Sequence, residues 1–65
     1  MNEHEFTENL QLLLEESGLL GDNFEVRRVE TFSEAGLMTP NKGLVVTLRN
    51  DEGTEAKFQV TVVRS

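Results

Sequence analysis

The chain opens on an apolar period of three to four residues and closes on a period of two. Phe6, Leu10, Leu13 and Leu14 stand at i, i+4, i+7 and i+8, within about 100° of one another on a 3.6-residue wheel. This spacing predicts an amphipathic helix over residues 3–17 with that stripe as its core face. Asn2 is placed to cap it, and Glu5 three residues on completes a capping-box pair. Glu3 and Glu5 also sit at the positive end of the helix dipole, where acids are favoured. Gly18, after Ser17, supplies the left-handed residue that ends the last turn. Leu19 or Leu20 is expected to fold back as the accompanying apolar contact.

The C-terminal half reads as a hairpin of strands 43–50 and 54–64, and parity sets its register. Leu44, Val46 and Leu48 share one face, as do Ala56, Phe58, Val60 and Val62. All are even-numbered, so facing residues must sum to an even number if both sets are to meet one core. Pairing Leu48 with Ala56, Val46 with Phe58 and Leu44 with Val60 satisfies this and leaves the loop Asp51-Glu52-Gly53. A type I turn followed by a left-handed residue closes such a loop, and Gly53 stands at that position. The other face then pairs Arg49 with Glu55, Thr47 with Lys57 and Val45 with Gln59, and is expected to be open to water.

Residues 24–32 form a third strand whose alternation breaks. Phe24 and Val26 are in phase, whereas Val29 and Thr31 continue out of phase. An extra residue at Arg27-Arg28 would restore the phase, as a β-bulge does; the alternative is a regular strand carrying Val29 on its outer face. Ser33 to Gly43 is a long connection containing the turn signal Thr39-Pro40-Asn41. The expected fold class is α+β: one N-terminal helix packed on a three-stranded antiparallel sheet, in the order α-β-β-β, as a single small domain over residues 1–65. That order resembles the opening of a double-stranded-RNA-binding domain. The second helix of that domain and the basic stretch at its start are missing, so its function is not carried over.

Charge changes the picture by its location. Residues 1–22 hold six acids (Glu3, Glu5, Glu8, Glu15, Glu16, Asp22) and no Lys or Arg, which accounts for the whole net charge of −6. The remaining residues balance. At 65 residues the core is thin, and the chain has no cysteine, hence no disulfide to reinforce it. Self-association is one way to make up the deficit. The N-terminal segment has neither a basic region nor a continuous apolar stretch, so it does not read as a secretory signal. Leu12-Leu13-Leu14 is the longest apolar run of the segment, far below the roughly 20 residues of a bilayer span. A cytoplasmic protein without membrane partners is the expectation.

Candidate chemistry is sparse. The single imidazole, His4, lies in the first helical turn where Glu8 is within reach, and two such groups do not make a metal site. All five glycines fall at element boundaries, not in a phosphate-binding loop. The chain is read as non-enzymatic, with no catalytic residue, cofactor or metal. Direct nucleic-acid binding is disfavoured by the charge. An outer sheet face with Arg27, Arg49 and Lys57 also lacks stacking aromatics, since Phe6, Phe24, Phe32 and Phe58 are expected in the core or at its edge.

Protein contact is the reading that remains. On the wheel Leu12 falls opposite the core stripe among Glu5, Glu8 and Glu16, an apolar residue with a polar rim. Leu37 and Met38 in the long loop, with Ala35, either cap the open end of the core or form a binding tip. The expected function is that of a small acidic interaction module, of a size and charge common among accessory proteins of phages and mobile elements. It would bind a protein partner through the acidic helix (Glu5, Glu8, Leu12, Glu15, Glu16) or the 33–43 loop (Leu37, Met38). One alternative is an inhibitor or nucleic-acid mimic that occupies a basic nucleic-acid-binding surface on another protein; the last is a weak metal binder or small enzyme. Val60-Thr61-Val62-Val63, adhesive and little charged, points to a homodimer paired strand to strand.

Overall fold

The computed structural model describes all 65 residues, as helix α1 (Glu3–Ser17) and strands β1 (Phe24–Thr31), β2 (Lys42–Asn50) and β3 (Glu55–Val62). The fold is α+β in the order α-β-β-β, with an antiparallel sheet ordered β1-β2-β3 and α1 across one face.

Local sequence explains the ends of each element. The Asn2 side chain accepts from the Glu5 N–H at 2.8 Å, and Glu5 Oε1 accepts from the Asn2 N–H at 3.3 Å, which completes the capping box. Gly18 closes the helix at φ 69°, its N–H donating to the Leu14 carbonyl. The hairpin register is the one parity requires, including Leu44 with Val60, Val46 with Phe58 and Leu48 with Ala56. Gly53 takes φ 86° at the last loop position, and Asn50 Oδ1 accepts from the N–H groups of Glu52 and Thr54. In β1 the register shifts between Val26 and Arg28. Arg27 is therefore the bulge residue, and Val29 turns onto the core face, where it is buried.

The core consists of Val29, Leu44, Val46 and Leu48, with Leu10, Leu14 and Val26 packed against it. The helix is seated differently from its apolar stripe. Its one buried residue is Thr7; Leu10, Gln11 and Leu14 are half-buried, whereas Phe6 and Leu13 are 41% and 63% exposed. At 100° per residue this rolls the helix by roughly 60° from the expected orientation. It also sets α1 over β1 and β2 more than over β3. Two local bonds make the roll affordable. Thr7 Oγ1 donates to the Glu3 carbonyl at 2.6 Å, so its burial strands no hydroxyl, and Gln11 Nε2 donates to the Val29 carbonyl at 3.0 Å.

Four further expectations are corrected. Phe58 and Val60 face the helix side of the sheet as parity requires, yet they are 54% and 40% exposed because α1 covers β3 only sparsely. Of the four phenylalanines only Phe32 is buried. Leu19 and Leu20 are exposed and make no apolar stop; instead Gly18 and Leu20 bond through their backbones to β1. The outer sheet face is not uniformly wet either. Val45 and Thr47 are buried there, Thr47 standing in register between Arg28 and Lys57.

Candidate functional site

Helix α1 divides its side of the sheet into two clefts of opposite character. The first, of about 880 Å³, lies between the helix and the 33–43 loop and is lined mainly by polar groups, among them His4, Glu8, Gln11, Glu34 and Lys42. The second, of about 480 Å³, lies between the helix and β3 and is mainly apolar, with Phe6 and Leu10 on one wall and Val60 and Val62 on the other.

A single-turn structure builds the far wall of the polar cleft. Thr31 N–H donates to Glu34 Oε1 at 2.8 Å, and the Glu34 N–H donates to Thr31 Oγ1 at 3.1 Å. This is a capping box, and it explains why the chain turns back after β1. Gln11 Nε2 also donates to Glu34 Oε1, at 3.0 Å, which ties the helix to the loop. The Thr31 backbone N–H, and then the Gln11 amide, hold the Glu34 carboxyl below its ordinary value; desolvation acts weakly against them. On the near wall His4 Nε2 lies 3.4 Å from Glu8 Oε1, with both side chains well exposed. No group of three or more His, Cys, Asp or Glu side chains converges to hold a metal.

The structure brings some of the sequence-selected residues together and separates others. Glu8, Leu37 and Met38 line the polar cleft, where Leu37 is half-buried and the Met38 side chain stands wholly in solvent. Glu5, Leu12, Glu15 and Glu16 are exposed and absent from both cleft walls, with Leu12 54% exposed. The helix and the loop, taken as alternatives from sequence, are thus opposite sides of one cleft, with a second acidic face on the outside of the helix. Sequence reasoning missed Thr7, Gln11 and Glu34. The spacing Thr31-x-x-Glu34 is a capping-box signal that points to the last of these.

On the outer sheet face two of the cations, Arg27 and Arg28, have acidic partners, whereas Arg49 and Lys57 have none within 4 Å. Arg27 lies 3.0 Å from Glu25 and 4.0 Å from Glu55, and Arg28 lies 4.0 Å from Glu30. Such exposed pairs contribute little stability. No helix is long and apolar enough to cross a membrane. Comparison with protein-family models, curated proteins and solved structures finds no match to this chain.

Proposed function

We propose that the protein is a small non-enzymatic interaction module that engages a protein partner along α1 and the 33–43 loop. The observation that carries this is Met38, fully solvent-exposed on the rim of a polar cleft whose other wall is the acidic helix. A flexible, polarizable thioether beside polar groups is suited to adaptable protein contacts. Leu12 offers a second apolar anchor among Glu5, Glu8 and Glu16. Glu34, the cleft carboxyl whose pKa departs from the ordinary, is no candidate for a general acid. Its pKa is lowered, and its oxygen is committed to structural hydrogen bonds, the reverse of a poised general acid.

A second reading is that the helix occupies a basic nucleic-acid-binding surface on another protein. It is favoured by the exposure of Glu5, Glu8, Glu15 and Glu16 on a segment with no Lys or Arg. Five glutamates along about 22 Å of helix at 1.5 Å per residue are nearly three times sparser than the charge of duplex DNA, about one per 1.7 Å. The density argues for the first reading.

The test starts from a partner captured from the native host and identified by mass spectrometry, then bound in purified form. On the interaction-module reading, Met38→Asp or Leu12→Asp weakens binding more than Glu8→Lys with Glu15→Lys does. If the charge pair abolishes binding, and binding falls steeply with salt and competes with DNA, the second reading holds instead. A partner indifferent to all of these substitutions would defeat both.

A further inference from the structure

We infer that β3 pairs antiparallel with β3 of a second copy, about a two-fold axis, so that two chains share one six-stranded sheet and close their apolar clefts against each other. The first ground is the contrast between the two sheet edges. On β1 the outward-facing backbone groups are taken one after another. Leu20 N–H donates to the Phe24 carbonyl at 3.0 Å, and Val26 N–H to the Gly18 carbonyl at 2.9 Å. Gln11 donates to the Val29 carbonyl, and Thr31 N–H donates to Glu34. With the bulge at Arg27, that edge is closed to another strand.

The β3 edge is open. Asn50 N–H donates to the Thr54 carbonyl, which makes the even-numbered residues of β3 the ones bonded to β2 by antiparallel alternation. Glu55, Lys57, Gln59 and Thr61 therefore aim their N–H and C=O groups away from the sheet, and no loop, side chain or bulge answers them. The strand carries no proline and no charge on its helix-side face; its charges, Glu55 and Lys57, both point to the other face.

The second ground is area. A folded chain of 7.3 kDa exposes about 4,200 Å² by size scaling, whereas this one exposes 4899 Å². The excess of about 700 Å² approaches the roughly 800 Å² that each partner contributes to a standard interface. Five of the eleven exposed large apolar residues lie where that interface would form: Phe6 and Leu13 on one helix flank, Phe58 and Val60 on β3, and Val63 just after it.

Geometry and charge favour a second copy as the occupant. Antiparallel pairing of a strand with itself is self-complementary, and an even sum of facing residues keeps Phe58 and Val60 of both chains on the helix side of the shared sheet. With the axis at Phe58 or Gln59, Lys57 faces Gln59 or Thr61 of the second copy, and no like charges stand opposed. The outward helix acids Glu5, Glu8, Glu15 and Glu16 lie away from the axis.

The test is the mass of the full chain in solution by sedimentation equilibrium, with concentrations reaching on the order of 100 µM, above the micromolar weak end for interfaces of this size. The expected mass is twice 7.3 kDa. Gln59→Pro removes an outward N–H without touching the β2 ladder, and should return the mass to that of one chain with the circular dichroism preserved. Leu13→Lys, on an exposed helix flank, should do the same although it lowers the net charge and so eases repulsion. A single-chain mass for the wild type overturns the inference, whatever other strand or protein then covers the edge. So does a wild-type dimer that survives Leu13→Lys together with a folded Gln59→Pro.

Discussion

Glu34 shows how one side chain organises a loop that carries no regular structure. Its oxygen takes the Thr31 N–H and the Gln11 amide together, so the carboxylate is the junction of β1, the loop and the helix. Its pKa in the folded protein lies below the ordinary 4.5. The tether is therefore complete above the ordinary carboxylate range and is lost as acidification passes through the lowered value. The Thr31 amide should lose protection from hydrogen exchange over that acidic window in the wild type, and show no such titration in Glu34→Gln. Gly43 is the second informative residue. A Cβ there would fall 2.5 Å from the Phe32 ring and collide with the Val60 carbonyl oxygen. Gly43→Ala is expected to cost about 1–3 kcal/mol by overpacking; a denaturation midpoint shifted by less than about 0.5 kcal/mol would count against this close approach.

At the scale of elements, the strands were legible and the seating of the helix was not. A β side chain points to one face or the other, so the parity of Leu44 to Leu48 and Ala56 to Val62 left one acceptable register. The same binary alternation exposed the phase fault in β1 that the bulge at Arg27 resolves. A helix presents a continuum of faces, and its apolar stripe located the contact only to within one neighbouring row. Thr7 and Gln11, polar but locally satisfied, took the buried row, and Leu13 was turned out. Of the interaction surface, the exposure of Leu12 and Met38 was legible as apolar residues outside any core period. The cleft joining helix to loop was not, because it depends on the Gln11–Glu34 bond between segments 23 residues apart. The roll of the helix has a direct check at low protein concentration. Leu14→Ala should destabilise by about 1–2 kcal/mol, below the roughly 2–5 kcal/mol of fully buried leucines because this site is only half-buried. Leu13→Ala should stay within about 0.5 kcal/mol. At high concentration the Leu13 variant alone should fall further behind the wild type, since its neighbour in the interface is the second copy.

The whole molecule segregates its properties by side. Acid is gathered on the outside of α1 and one wall of the polar cleft, and charge is balanced on the outer sheet face; exposed apolar residues lie on the opposite flank of the helix and on β3, and also at Leu12, Leu19, Leu20, Phe24 and Met38. A chain of 65 residues without cysteine has little core to spare, and the exposed Phe58, Val60 and Leu13 are the residues that the proposed pairing of two copies would cover. One closed edge and one open edge give that completion a direction. Amide hydrogen exchange of Lys57, Gln59 and Thr61, followed residue by residue across a concentration series, reports on it most directly. The account predicts that these three amides become protected as concentration rises, joining the Phe58 and Val60 amides that β2 protects throughout. Exchange of all three at open-chain rates at every concentration, with Phe58 and Val60 still protected, would contradict it.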